Sequence, residues 1–230
     1  MSRLSNSTCG LFLCYVTDRH GLSATESREA EETLLLKIGA AAAAGVDWMQ
    51  IREKDLSGRD CGSLTREALQ RAAKAPASSV APARILVNDR LDVALSERAS
   101  GVHLGENSLP LPAAKRLASA QVQSPDFLLG FSCHSPETAR AAANDGADYL
   151  FFGPVFATPS KAAFGAPQGL ERLAEVCRAV SIPVLAIGGI MVANAAACIS
   201  AGASGIAAIR LFQDARDLSS LVQTLRELTR

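Results

Sequence analysis

Short apolar runs alternate with longer amphipathic segments along almost the whole chain. Runs rich in aliphatic and aromatic residues, bounded by Gly, Pro, Asn or Asp, predict eight strands at residues 11–17, 47–52, 84–87, 101–104, 127–133, 149–152, 183–187 and 205–209. The segments that follow them predict eight helices at residues 24–44, 60–75, 91–97, 112–120, 136–144, 169–180, 192–201 and 214–228. Strict alternation predicts a parallel sheet, and eight units favour an α/β fold closed into a (β/α)8 TIM barrel.

The length of 230 residues suits one barrel better than two domains. We therefore expect a single TIM-barrel domain over residues 1–230, with residues 1–9 as a flexible N-terminus. The apolar residues that follow Arg3 are too few for a transmembrane helix. We interpret them as the first strand and not as a signal peptide.

Charge and cysteine usage exclude several classes of function. The 23 basic and 23 acidic residues balance, so no global field favours nucleic acid or an anionic membrane, and any anion site has to be local. Six cysteines occur without a CxxC pair, and Cys14, Cys133 and Cys198 lie in apolar segments, which is typical of buried thiols in a reducing compartment. We expect a cytoplasmic protein that binds small molecules and neither nucleic acid nor membrane, and homo-oligomer formation stays open.

Polar residues recur where the predicted strands end. In a barrel these positions converge on one face, the face that carries the active site. Each residue alone could be a turn former or a helix cap, as Asp89 could be for the helix at 91–97. Together they favour a catalytic barrel. The set comprises Asp18, Gln50, Arg52, Lys54, Asn88, Asp89, Ser132, His134, Gly188, Gly189 and Arg210.

The end of the second predicted strand is typical of a phosphate and heterocycle site. Gln50, Arg52 and Lys54 alternate, so they share one face of an extended segment. The two cations can hold a phosphate, and the glutamine amide can bind a heterocycle edge as donor and acceptor. The alternative is that Arg52 or Lys54 forms an ion pair with Glu53 or Asp55.

Three further strand ends add chemistry for a phosphorylated ligand. Asn88-Asp89 offers hard oxygen ligands, which Mg²⁺ prefers when it shares them with substrate phosphates. Gly188-Gly189 opens the helix after the seventh strand, where backbone N–H groups commonly bind phosphate. The strand at 149–152 leads through Gly153-Pro154 to a loop with Lys161, which can face an anion or can simply be solvated.

Six segments resemble successive motifs of the thiamine phosphate synthase superfamily, which also includes the thiazole tautomerases. They are residues 50–54, 87–89, 101–105, 130–134, 153–161 and 187–190, in the same order as in the family. The resemblance implies a (β/α)8 barrel that joins a hydroxymethylpyrimidine pyrophosphate to a thiazole phosphate and releases pyrophosphate. It also implies Mg²⁺ as the cofactor.

The resemblance implies roles by position. Gln50, Arg52, Lys54 and Asn88 would hold the pyrimidine pyrophosphate, Asp89 would ligate Mg²⁺, and Ser132 and Lys161 would contact the leaving pyrophosphate. The thiazole phosphate would be held by Thr158, Pro159, Ser160, Gly189, Ile209 and Arg210. Lys161, Ser132 and His134 are the catalytic candidates.

The chain departs from the family's pattern at two places. Synthases usually carry a second metal-binding aspartate where this chain has Ser108, and often a serine where it has Arg210. Glu106, two residues before Ser108, can return a carboxylate to the metal. A lost metal ligand is also a feature of the tautomerases, in which a residue matching His134 transfers a proton.

The synthase interpretation leads and three alternatives stay open. The first is the thiazole tautomerase, and the second is a non-catalytic barrel that senses phosphate. The third, a phosphate-binding isomerase, has the right architecture, but it does not explain Gln50 to Lys54 together with Asn88-Asp89.

Overall fold

Eight parallel strands close into a barrel in sequence order. The computed structural model describes residues 10–22, 27–76, 82–121, 126–158 and 166–228, so the predicted flexible terminus at 1–9 lies outside this part. The strands are β1 (Phe12–Val16), β2 (Trp48–Ile51), β3 (Arg84–Asn88), β4 (Gly101–Leu104), β5 (Leu128–Cys133), β6 (Tyr149–Phe152), β7 (Val184–Ile187) and β8 (Gly205–Ala208). Each strand pairs with the next and β8 pairs with β1, which confirms the predicted fold.

Helices follow the strands and surround the barrel. They are α1 (Ser27–Ala44), α2 (Gly58–Lys74), α3 (Leu91–Ser96), α4 (Leu111–Gln121), α5 (Pro136–Asn144), α6 (Gly169–Ala179), α7 (Val192–Ser200), α8 (Arg210–Gln213) and α9 (Leu218–Glu227). The predicted helix at 214–228 was wrong at its start, because the short helix α8 precedes it. The Asp217 carboxylate accepts a hydrogen bond from the Ser220 N–H at 3.0 Å, and this N-cap begins α9 at Leu218.

Alternation along the strands divides the apolar residues into two cores. Outward-facing strand residues pack against the helices in the larger core. Inward-facing residues fill the barrel in a second core that contains Cys14, Val16, Trp48, Leu86, Leu128, Tyr149, Phe151, Leu185 and Ala207. A filled interior leaves the end of the barrel, where the polar residues follow the strands, as the place for a ligand.

The predicted buried thiols are confirmed. Cys14, Cys133 and Cys198 are buried and free. Burial raises the pKa of Cys133 to about 12 and that of Cys198 to about 11, so both thiols stay protonated and pack as small apolar groups. Among the helices of the described residues, none is long and apolar enough to cross a membrane.

Two glycines give a matched test of strand closure. A Cβ on Gly205 would lie 2.3 Å from the Phe12 carbonyl oxygen across the β1–β8 closure, whereas a Cβ on Gly39 in α1 would lie 3.8 Å from its nearest neighbour. We expect Gly205→Ala to lower the free energy of unfolding by about 1–3 kcal/mol and Gly39→Ala to raise it by up to about 1 kcal/mol. Urea unfolding of both variants measures this, and equal effects would contradict it.

Candidate active site

Two predicted residues meet at the ends of β2 and β3. Gln50 continues the inward alternation from Trp48, and Asn88 continues it from Leu86. The Gln50 Nε2 donates to the Asn88 Oδ1 at 3.3 Å, and Gln50 is 1% exposed. Asn88 is half-buried, so the two amides form one partly buried polar surface with both donor and acceptor atoms.

Arg52 and Lys54 do not form the predicted alternative ion pairs. Glu53 and Asp55 instead bind Arg19, with 3.1 Å between Arg19 Nη1 and Glu53 Oε2. In the part of the chain that the structure describes, neither Arg52 nor Lys54 has an ion-pair partner. Arg52 is half-buried directly after β2, whereas Lys54 is exposed in the turn that follows, so the predicted extended alternation does not reach Lys54. Both cations remain available for an anionic ligand.

A buried network holds this strand end in place. Thr17, at the end of β1, donates its hydroxyl to Glu53 Oε1 at 2.6 Å and accepts from the Arg52 backbone N–H at 2.9 Å. The Glu53 carboxylate also accepts from the Arg19 backbone N–H at 3.1 Å. Thr17, Arg19 and Glu53 are all buried. Sequence reasoning missed this group, because its members are brought together only by the β1–β2 pairing.

A second polar chain crosses β4, β5 and β6 inside the barrel. The His103 Nε2 lies 2.8 Å from Ser132 Oγ, and its Nδ1 lies 3.0 Å from Tyr149 Oη. His103 is 2% exposed. It was not among the predicted site residues. Alternation along the strand could have identified it. His103 lies two residues after Gly101 on β4, so the two residues face the same side of the sheet.

The two predicted metal ligands follow neighbouring strands. Asp89 is exposed after β3 and has a left-handed backbone with φ 63°, and its N–H donates to the His103 carbonyl at 2.8 Å. Glu106 is exposed in the turn after β4. Ser108 closes that turn, because its Oγ accepts from the Gly105 N–H at 2.8 Å. The residue at the departure from the family's pattern thus has a local structural role.

The carboxylates at these strand ends fit Mg²⁺ only when the ion is shared with a substrate. Among the described residues, no three His, Cys, Asp or Glu side chains converge as a protein-only metal site. Mg²⁺ commonly takes one or two carboxylates and completes its shell with water and substrate phosphate oxygens. Asp89 and Glu106, as exposed carboxylates on adjacent strand ends, fit that substrate-dependent mode.

The predicted glycine pair joins the ends of β6 and β7. Gly188 and Gly189 have φ values of 94° and 67°, which favour glycine. The Phe156 N–H donates to the Gly188 carbonyl at 3.0 Å. A Cβ on Gly189 would lie 2.6 Å from the Ala157 carbonyl oxygen. Glycine therefore permits the two loops to pack backbone against backbone.

Described residues flank the segment that carries Lys161. Thr158 is half-buried just before it. After it, the Gln168 and Gly169 N–H groups donate to the carbonyls of Pro154 and Val155 at 2.7 and 3.1 Å. The predicted residues Pro159, Ser160 and Lys161 lie outside the described residues.

His134 ties the end of β5 to the end of β6. Its Nδ1 lies 2.6 Å from the Gly153 carbonyl oxygen. A carbonyl can only accept, so Nδ1 carries the proton and donates it. This bond supports the bend at the cis Gly153-Pro154 peptide. His134 is half-buried and separate from the Ser132–His103 pair.

The last two predicted residues mark the end of β8. Ile209 is half-buried and packs against the inner core, and Arg210 is exposed as the first residue of α8. Nearby, Asn194 donates to the Gly189 carbonyl at 3.0 Å and accepts from the Met191 N–H at 2.8 Å. Asn194 was not predicted, and it fixes the glycine turn that precedes α7.

The chain is similar to proteins of one family over most of its length. The profile of the family described as thiamine monophosphate synthase matches residues 21–212. The chain is 43% identical over 218 residues to a thiamine-phosphate synthase of Methanoculleus marisnigri, covering 95% of each chain. It is 42% identical over 197 residues to a putative thiamine-phosphate synthase of Geobacter sulfurreducens, covering 86% of this chain and 84% of the relative.

A solved structure has the same architecture. Thiamine phosphate pyrophosphorylase from Pyrococcus furiosus superposes with a TM-score of 0.77 at 32% identity, covering 95% of each chain. The predicted family resemblance is confirmed. The predicted roles of individual site residues stay predictions.

The buried imidazole makes stability depend on pH. Burial first, and the nearby charge of Arg52 second, lower the pKa of His103 from 6.5 to about 3. Below pH 6.5 the unfolded chain binds a proton that the folded protein does not bind until the pH approaches 3, so acid favours unfolding. We expect the free energy of unfolding to fall by about 1.5 kcal/mol between pH 6.5 and pH 5 from this group.

Urea unfolding of the native protein and of His103→Gln across that pH range measures this contribution. The difference between the two free energies of unfolding should shrink as the pH falls, because only the native protein carries the imidazole. A difference that does not change with pH would contradict the low pKa of His103.

Proposed function

This chain belongs to the thiamine monophosphate synthase family, and we propose that it joins hydroxymethylpyrimidine pyrophosphate to a thiazole phosphate, forming thiamine phosphate and releasing pyrophosphate. The observation that carries the proposal is the partly buried Gln50–Asn88 amide pair, 3.3 Å between Nε2 and Oδ1, with Arg52 and Lys54 following Gln50 in the chain. An amide surface next to two cations without ion-pair partners among the described residues suits a heterocycle that carries a pyrophosphate.

The pyrimidine side of the site is built on β2 and β3. Gln50 and Asn88 present donors and acceptors to the edge of the aminopyrimidine ring. Arg52 and Lys54 bind the pyrophosphate, and Arg19 supports this by neutralising Glu53, which would otherwise compete for them. The buried Thr17–Glu53 bond keeps the strand end rigid, so the cations need little reorganisation when the ligand binds.

Departure of pyrophosphate is the step that needs most stabilisation. The C–O bond breaks, the electron pair leaves with the pyrophosphate oxygen, and the pyrimidine methylene becomes a delocalised cation. Ser132 and Lys161 act on the leaving group as hydrogen-bond donor and cation. Asp89 and Glu106 would hold Mg²⁺, which when bound neutralises pyrophosphate charge.

The thiazole phosphate binds on the opposite side of the barrel opening, at the loops that follow β6, β7 and β8. Backbone groups at Gly189 and the segment from Thr158 to Ser160 bind its phosphate, together with Ile209 and Arg210. The thiazole nitrogen then attacks the methylene, and the protein contributes by holding the two rings in line.

We further propose a cytoplasmic location and small molecules as the ligands.

Substitution of His134 distinguishes the proposed synthase from the tautomerase alternative. The serine at position 108 favours the tautomerase, because it replaces a metal-binding aspartate of the synthases. As a synthase residue, His134 only supports the Gly153 bend, so His134→Asn should keep thiamine phosphate formation within a modest factor of the native rate. As the proton-transfer group of a tautomerase, it would be needed for activity, and its loss would cost about 10²–10⁴-fold.

The assay incubates purified protein with both substrates and Mg²⁺ and measures thiamine phosphate and pyrophosphate. A parallel assay offers the thiazole carboxylate phosphate without metal or pyrimidine and measures its isomerisation. Isomerisation that collapses in His134→Asn, with no thiamine phosphate formed by the native protein, would overturn the proposed function. Binding of both substrates without any turnover would favour the phosphate-sensing alternative.

The metal site gives a second prediction. Asp89→Ala should abolish synthesis, because it removes the carboxylate best suited to Mg²⁺ at this edge. Ser108→Asp should lower the Mg²⁺ concentration required for half-maximal rate, since it adds a carboxylate to a turn that an aspartate oxygen can still close through the Gly105 N–H.

Mg²⁺ titrations of the native protein and the two variants measure the effect. Asp92→Ala is the matched control, because Asp92 is an exposed aspartate on α3 that pairs with Arg90. Its metal requirement should equal that of the native protein. Full activity of Asp89→Ala in the presence of a chelator would contradict the metal assignment.

A further inference from the structure

A three-residue hydrogen-bond chain runs through the barrel to the leaving-group side of the mouth. Tyr149 Oη lies 3.0 Å from His103 Nδ1, and His103 Nε2 lies 2.8 Å from Ser132 Oγ. The residue between them on β5 is Gly130, where a Cβ would lie 2.1 Å from Tyr149 Cζ and 2.6 Å from His103 Nδ1. A glycine at this strand position is therefore what allows the tyrosine and histidine to touch.

The buried tyrosine determines which imidazole nitrogen carries the proton. Tyr149 is fully buried, and burial raises its pKa, so it keeps its O–H. Among the described residues, the hydrogen-bond partner of this hydroxyl is His103 Nδ1, and a buried O–H without an acceptor costs free energy. Tyr149 therefore donates to Nδ1, and the single proton of the neutral imidazole lies on Nε2.

The tautomer of His103 determines whether Ser132 donates or accepts in their hydrogen bond. A protonated Nε2 has to donate, so Ser132 Oγ accepts from it at 2.8 Å. The hydroxyl hydrogen of Ser132 is then directed away from His103. In the other tautomer the serine would donate to the imidazole and turn only lone pairs outward, which repel an anion.

We propose that Tyr149 and His103 are positioning residues that orient the Ser132 hydroxyl hydrogen toward the barrel mouth, where it donates to the departing pyrophosphate. This inference rests on the proposed function. No proton is transferred along the chain. The C–O bond of the substrate breaks, the electron pair goes to pyrophosphate, and the preoriented O–H stabilises the oxygen that gains the charge.

Tyr149→Phe is the most selective test, because it removes one oxygen and keeps the ring that packs 4.7 Å from Trp48 between centroids. We expect kcat to fall about ten-fold with little change in KM, as when an interaction made mainly in the transition state is weakened. Tyr15→Phe is the matched control, since Tyr15 also loses a buried hydroxyl bond, to Gln213 Oε1 at 3.0 Å, but faces the outer core. Its kcat should be unchanged.

A double-mutant cycle distinguishes positioning from general loss of structure. If Tyr149 acts through the serine, Tyr149→Phe should slow the Ser132→Ala variant no further. A second ten-fold loss in that background would overturn the proposal.

The tautomer can be measured without substrate by ¹⁵N NMR of the His103 ring. The expected result is an Nε2–H imidazole in the native protein and a shift toward Nδ1–H in Tyr149→Phe. An Nδ1–H imidazole in the native protein would overturn the proposal. If the native protein makes no thiamine phosphate, the proposed function fails, and with it the role toward pyrophosphate, whereas the NMR result still decides how the hydroxyl is oriented.

Discussion

Closure of the barrel is the constraint on which the site depends. Because β8 pairs with β1, the inward side chains of all eight strands share one interior, and it is filled by aromatic and aliphatic groups. The register pairs Asn88 with His103 and His103 with Gly130. A shift of one residue on a single strand would turn its inward groups outward and separate the polar contacts.

The charged residues divide between the two ends of the barrel. At the end of the barrel formed by the carboxyl ends of the strands, Arg19 neutralises Glu53 and Asp55. Its guanidinium lowers the pKa of the Asp55 carboxyl. This leaves Arg52 and Lys54 for a ligand. A buried charge is tolerated only when it is paired, so the pairing of Glu53 with Arg19 is a condition for placing it beside a phosphate site.

At the other end the charges serve structure. Arg226, in the last helix, lies 2.8 Å from the Asp47 carboxylate and also donates to the carbonyl of Gly45. Asp47 in turn accepts from the Leu13 N–H at 2.7 Å, which joins the starts of β1 and β2 to α9. Burial raises the pKa of Asp47 although Arg226 opposes this. This end of the barrel thus joins the first two strands to the last helix, and the polar residues of the candidate site lie at the other end.

The sequence by itself determined the strand–helix order, the places of Gln50 and Asn88 at strand ends, and the glycines at 188 and 189, because periodicity and backbone freedom are local properties. It could not determine partners. That Glu53 binds Arg19 and not Arg52, and that His103 links Tyr149 to Ser132, follow from strand register and burial. These contacts join residues up to 46 positions apart. Only the pairing of neighbouring strands in the folded barrel brings such residues within hydrogen-bond distance, so only the tertiary structure could decide them.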